Sequence, residues 1–166
     1  MKRSISAVLT GLLLLAGSLA YCDEILPTGL GEAVDKDVQE LRAATEPFKS
    51  VAAALAAGYV ATDRCVQHPS HGVMGLHYKN PALRDATPDL DHPEILLYQR
   101  LPDGSLQLNG VEFVVPFAAW THDEPPVLLG QKMRREESQG IWYLHAWVWE
   151  WNPSGIFEDW NPRAKC

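Results

Sequence analysis

Five of the six Trp residues in this chain lie from Trp142 to Trp160, and that crowding limits the fold more than any other feature. A Trp side chain is costly to leave wet, so it anchors a core or lines a ligand cavity. Most of the cluster sits in one run, Leu144-His145-Ala146-Trp147-Val148-Trp149-Glu150-Trp151-Asn152-Pro153, followed by Trp160-Asn161-Pro162 and closed by Cys166. The pattern over 141–151 predicts a strand that is apolar on both faces up to Glu150, and therefore central in its sheet. On a strand, His145 shares one face with Tyr143, Trp147 and Trp149. An imidazole among aromatic rings points to a site as well as to a core.

Earlier in the chain the hydrophobic period is helical. From Glu32 onward Val34, Val38, Leu41, Phe48, Val51 and Leu55 recur at helical spacing and form one apolar stripe. Pro47 divides the stripe into two helices, with Thr45 capping the second and Gly58 ending it. After Tyr59 the chain reads as strand and loop. Gly72 to Lys79 predicts a strand, and 80–93 a long Pro/Asp-rich loop. Residues 95–98 and 106–115 predict a hairpin around Pro102-Asp103-Gly104-Ser105. Residues 116–126 read as loop, 127–133 as a short strand or helix, and 134–140 as a charged turn. Together these imply an α+β fold, with an N-terminal helical segment packed on a mainly antiparallel sheet of about five strands that has scope to curve strongly.

Residues 1–20 carry the marks of a signal peptide: Lys2 and Arg3, an apolar run from Ile5 to Ala16, and Ser18-Leu19-Ala20 as a small-x-small cleavage site. The apolar run is short for a membrane span. Cleavage after Ala20 leaves a linker over 21–31 and one domain over 32–166, exported to the periplasm or secreted. Leu19-Ala20-Tyr21-Cys22 also resembles a lipoprotein signal, although Tyr21 is bulkier than the residue such signals place before the Cys. Lipidation at Cys22 would be the one route to a membrane. Without Lys2 and Arg3 the chain holds 12 basic against 21 acidic residues, a charge of −9. Nucleic acid and anionic membrane surfaces are therefore poor partners. Export permits disulfides, and Cys65 with Cys166 is the natural pair. Cys22 is then lipidated, removed with the signal, or free.

Three polar residues fall where strand patterning calls for core: His77 in Met74-Gly75-Leu76-His77-Tyr78, Glu112 in Gly110-Val111-Glu112-Phe113-Val114-Val115, and His145. The period places Glu112 on the face of Leu106, Leu108 and Val114. A buried charge or imidazole must be paired, hydrogen-bonded or bound to a metal. Two His and one carboxylate from separate strands could make an open site for a divalent transition metal such as zinc, copper or iron. The plainer alternative is a buried His–Glu hydrogen bond with a second His donating to a backbone carbonyl. Glu94 is another candidate carboxylate, but its place before Ile95 puts it at a strand end. Cys65-Val66-Gln67-His68-Pro69-Ser70-His71-Gly72 adds two His, in what reads as an exposed loop whose Cys a disulfide would consume. Met74 could add a soft ligand, although Met in a strand ordinarily fills core. A Gly-rich phosphate loop, CxxC, CxxCH and GxSxG are all absent.

The runs Gly72-Val73-Met74-Gly75-Leu76-His77-Tyr78, Pro93-Glu94-Ile95-Leu96-Leu97-Tyr98 and Val111-Glu112-Phe113-Val114-Val115 resemble a family of small exported bacterial proteins. So do Leu144-His145-Ala146-Trp147-Val148-Trp149, Asn152-Pro153-Ser154-Gly155-Ile156-Phe157 and Trp160-Asn161-Pro162 up to Cys166. The resemblance spans most of the chain after the signal, including Ala56-Ala57-Gly58-Tyr59. It departs at Val73 and Lys79, where a small and an apolar residue are expected. The resemblance implies export and a single domain, but it brings no activity, because none is assigned to the family. Three functions fit these residues. One is a protein of the bacterial envelope that binds a small molecule or metal ion in a pocket lined by Tyr78, Trp147 and Trp149. The second is an enzyme using a metal held by His77, Glu112 and His145, and the third is an interaction module whose Trp are core.

Overall fold

The structure, a computed structural model, describes residues 27–166. The signal-peptide reading, Cys22 and the first part of the linker lie outside the described residues. The first half of the helical stripe forms as its period requires, but in the second half Ala54 is the buried residue and Leu55 is exposed. Helix α1 (Glu32–Thr45) buries Val34, Val38 and Leu41, a tight 3-10 turn follows over Glu46–Lys49, and α2 (Val51–Ala56) resumes the direction. The break falls at Pro47, but the cap differs from expectation. Pro47 lies in the 3-10 turn, so the residue entering α2 is Ser50, whose Oγ accepts from the Ala53 N–H at 3.4 Å. Thr45 is instead fully buried and donates to the Leu41 carbonyl at 2.7 Å. Gly58, at φ +95°, stops α2 in the left-handed region that favours glycine.

Eight strands follow: β1 (Val60–His68), β2 (Gly72–Lys79), β3 (Ile95–Arg100), β4 (Leu106–Pro116), β5 (Val127–Leu128), β6 (Gln131–Lys132), β7 (Arg134–Glu136) and β8 (Ile141–Ala146). Six of them make one antiparallel sheet in the order β1-β2-β3-β4-β8-β7, and β5 with β6 forms a small separate hairpin. The fold is α+β, with a larger sheet than the pattern suggested. The extra strands come from polar runs that alternation does not flag. Cys65 to His68 belongs to β1 rather than to a loop, and the charged turn contains β7.

The aromatic strand also ends earlier than its pattern predicts, at Ala146. Beyond it the N–H groups of Trp149 and Glu150 both donate to the Asn109 carbonyl, at 2.9 and 3.0 Å, and the Trp147 N–H donates to Ile156 at 2.9 Å. Backbone groups satisfied in this way have left the ladder.

The sheet separates two environments. One face meets the helices: Val38 and Leu41 pack with Tyr78, Leu96, Tyr98, Phe113 and Leu144 in the main core. The other face carries Ile95, Leu97, Val114 and Ile141 with Tyr143 beside them. A bulge in β4 divides that strand between the faces. Leu97 pairs with Gly110 but Tyr98 pairs with Leu108, so Asn109 is an extra residue. Leu108 therefore points to the helices while Glu112 and Val114 point away. The sequence period, carried through without a bulge, had wrongly put all three on one face.

The tail, residues 152–166, folds back as a strap. The Asn152 amide donates to the Trp160 carbonyl at 3.0 Å, and the Asn161 amide donates to the Trp151 carbonyl at 3.2 Å. The two Trp-Asn-Pro turns thus clasp each other. Asn161 also exchanges two backbone bonds of 3.0 Å with Val73. This approach requires Gly72, where an added Cβ would lie 2.4 Å from the Asn161 carbonyl oxygen. Cys166 ends the strap in a disulfide with Cys65, Cα–Cα 5.7 Å.

Breaking this bridge by Cys166→Ser should lower stability by about 2–5 kcal/mol while the helices and hairpin persist, since closing so long a loop is worth up to about 4.7 kcal/mol in the chain-entropy account. Denaturant unfolding under oxidising and reducing conditions checks this. Equal stability of variant and wild type would show that the bridge constrains nothing.

Candidate metal centre

On the sheet face away from the helices, three side chains converge. His77 comes from β2, Glu112 from β4 and His145 from β8. Each offers one ligand atom, and these atoms lie within 4.8 Å of one another. Glu112 and His145 are direct cross-strand partners. His77 reaches Glu112 diagonally across β3. His77 Nε2 is 3.4 Å from Glu112 Oε2, and His145 Nε2 is 3.9 Å from the same oxygen. All three residues are buried.

The partners behind the rings fix which nitrogens face the centre. His77 Nδ1 lies 3.2 Å from the Gly75 carbonyl, which can only accept, so Nδ1 donates there and Nε2 is the nitrogen turned to the carboxylate. Gly75, at φ +106°, has its Cα against β3, and an added Cβ would sit 2.6 Å from the Tyr98 carbonyl oxygen. His145 Nδ1 lies 3.3 Å from Asp159 Oδ1, close but out of hydrogen-bond alignment. Both ring nitrogens of His145 consequently lack a hydrogen-bond partner although the residue is 2% exposed. Two imidazoles meeting one carboxylate oxygen need a positive charge, a proton or a metal ion, among them.

Asp159, from the tail, was not singled out by the sequence. It accepts from Arg134 Nη1 at 2.6 Å and from the Tyr143 hydroxyl at 3.1 Å. Burial would raise its carboxyl, but His145, Arg134 and Tyr143 outweigh burial and hold it below the ordinary value. Burial and the Asp159 charge push the Tyr143 phenol up to about 12. Glu112 shows the same balance. Burial raises its carboxyl, and the two imidazoles with Lys79 more than reverse that, so it stays ionised.

The triad borders a cavity of about 310 Å³ whose walls include Val66, Met74, Ile95, Val114, Ile141 and Tyr143. Residues of β1 and Glu136 of β7, from opposite edges of the sheet, line the same cavity. The sheet curls around it, and among the described residues β1 and β7 share no ladder.

The aromatic residues expected to line a pocket lie elsewhere. Tyr78 faces the helices and packs edge-on against Tyr98. Trp147 packs with Val73 and Ala164 and donates from Nε1 to the Glu158 carbonyl at 2.6 Å. Trp149 donates to Thr45 at 3.0 Å and lies under the Lys49 ammonium and the Arg42 guanidinium. Trp147 and Trp149 leave the pocket face because β8 stops at Ala146. His68 and His71 stack on each other near Trp160, at the β1–β2 turn and outside the triad.

Glu94, placed by sequence at a strand end, does precede β3, but it is 1% exposed and lines the cavity. Its Oε2 accepts the Val114 N–H at 2.9 Å, extending the ladder past the end of β3. Burial, against only neutral N–H donors, pushes its carboxyl up to about 7. No family model, curated protein or solved structure matches the chain, so its chemistry is read from these side chains.

Because the folded pKa of Glu94 exceeds the unfolded value of 4.5, its contribution to stability is fully present below pH 4.5 and is lost as pH rises to about 7. A shift of this size corresponds to about 3 kcal/mol. Glu94→Gln should remove this loss and be the more stable protein above pH 7. Parallel urea unfolding curves from pH 4.5 to 8 check this, and identical pH slopes for the two proteins would refute it.

Proposed function

We propose that this is an exported protein that binds a divalent transition-metal ion at His77, Glu112 and His145, beside a pocket for a small ligand. The observation that carries this reading is the buried His145 ring. It has no hydrogen-bond partner and is aimed at a carboxylate and a second imidazole. A tetrahedral ion with bonds of about 2.0–2.1 Å holds its ligand atoms roughly 3.4 Å apart; His77 and Glu112 already stand at 3.4 Å, and the wider pairs, within 4.8 Å, would close in on the ion. Two nitrogens and one carboxylate suit zinc, iron or copper. The Asp159 carboxylate behind His145 and the Gly75 carbonyl behind His77 are the kind of outer partners that orient metal-bound imidazoles. Export is supported by the signal-like start and is compatible with the disulfide.

A metal-dependent enzyme is the second reading. The adjoining cavity and Glu94, a carboxyl able to exchange a proton near neutral pH, favour it. A purely structural ion would need no cavity beside it.

Calorimetry and elemental analysis of metal-free protein titrated with zinc, copper(II) or iron(II) should give one equivalent bound. His145→Ala and His77→Ala should abolish uptake while circular dichroism stays unchanged. Asp159→Asn should retain the site with affinity roughly 10–100-fold weaker. Wild type that binds none of the three ions would reduce the triad to a proton-sharing network.

A further inference from the structure

We infer that the cavity accepts a small organic anion, its carboxylate or phosphate group held between Lys79 and the triad and its apolar body against the wall. The inference rests on the metal reading above. Sheet register supplies the first observation. Lys79 pairs with Ile95, Ile95 with Glu112, and Glu112 with His145, so these four form one row on the cavity face. Two strand spacings, roughly 10 Å of backbone, separate Lys79 from Glu112.

The second observation is charge: three cationic side chains line the cavity beside three carboxyls, Glu94, Glu112 and Glu136, so a bound divalent ion would make it net positive. Lys79, Arg64 and Arg84 all line the cavity, and none has an ion pair among the described residues. The acidic groups of the same wall have contacts that orient them without cancelling their charge. Glu112 faces the two imidazoles, Glu94 holds the Val114 N–H, and Glu136 accepts from both the N–H and hydroxyl of Ser138. A metal ion would add further positive charge. With the ion in place the cavity attracts anions.

The third observation is shape. Arg64 and Arg84 are exposed, while Lys79 is half-buried and pairs with Ile95 across the ladder. The space equals that of about ten water molecules, enough for a short acyl chain or a small ring with its charged head.

Metal-loaded wild type, Lys79→Met and Lys79→Arg are titrated calorimetrically with acetate, butyrate and inorganic phosphate. The expected result is one saturable anion per chain, at least tenfold weaker binding in Lys79→Met, near-wild-type binding in Lys79→Arg, and the same metal stoichiometry in all three. Butyrate binding more tightly than acetate would identify a carboxylate head with an apolar body, and tighter binding of phosphate a phosphate head. Absence of anion binding, or equal affinity in Lys79→Met, overturns the inference and leaves the metal reading intact. Wild type that takes up no metal overturns the metal reading, and the titration is then run on metal-free protein. Anion binding that still depends on Lys79 would keep the anion pocket, and none would overturn both.

Discussion

The extra residue at Asn109 decides on which side of the sheet the charges of β4 come to lie. Before it, Leu106 and Leu108 pack toward the helices, and after it Glu112 and Val114 point to the cavity. Without the bulge, period two would turn Glu112 into the helix-side core among Tyr98 and Leu144, where no imidazole could reach it. The same irregularity stops β8, since the Asn109 carbonyl takes the N–H groups of both Trp149 and Glu150. Gly110 permits this approach, because a Cβ there would lie 2.4 Å from the Ala146 carbonyl oxygen. One local distortion therefore aims the central carboxylate and releases the Trp-rich segment from the sheet. It persists although the buried Asn109 amide finds no hydrogen-bond partner, a cost of about 1–3 kcal/mol.

Once released, the Trp segment supports the site from behind. The Trp147 ring N–H holds the Glu158 carbonyl, which places the next residue, Asp159, against His145. Trp149 ties the same segment to α1 through Thr45, and Arg42 Nη1 donates to the Val148 carbonyl at 2.7 Å. The reciprocal Asn152 and Asn161 clasp, the Val73–Asn161 bridge and the disulfide then fix the rest of the strap. The covalent crosslink ties β1, where Cys65 pairs with Leu76 beside His77, to the strap that carries Asp159. Positions of second-layer carboxylates matter because they set ring orientation, and loosening them leaves a site present but imprecise.

The sequence made some of this legible and hid the rest for identifiable reasons. The extent of β2, the β3–β4 hairpin, the helix break at Pro47 and the Cys65–Cys166 pairing follow from period, turn residues and redox setting, which act locally or through chemistry unique to one residue type. His77, Glu112 and His145 stood out because each is polar inside an apolar run. Asp159 gave no such signal. It sits in an irregular tail beside another acid, and its role arises only when the tail folds back. The face of Glu112 depended on a bulge, which nothing short of the cross-strand register reveals. The Trp cluster was only partly a core signal: Trp147 is buried, Trp142, Trp149 and Trp160 are half-buried and Trp151 is exposed, and burial against a strap looks the same in sequence as burial against a ligand.

Glu94 and Glu112 carry this distinction to the chemistry. One carboxylate stands just before β3 and the other on the neighbouring β4, both are buried, and both line one cavity. Desolvation acts on each in the same direction, toward the neutral acid. Glu112 faces two imidazoles and feels Lys79, so it remains an anion. Glu94 faces the Val114 N–H and feels Asp85 and Asp89, so it exchanges its proton near neutrality. One wall of the cavity therefore holds a fixed negative charge suited to a cation, and another holds a charge that comes and goes with pH. The hydrophobic period can announce that a carboxyl is buried. Only the fold supplies its partners, and the partners decide whether it serves as a ligand or as a proton carrier.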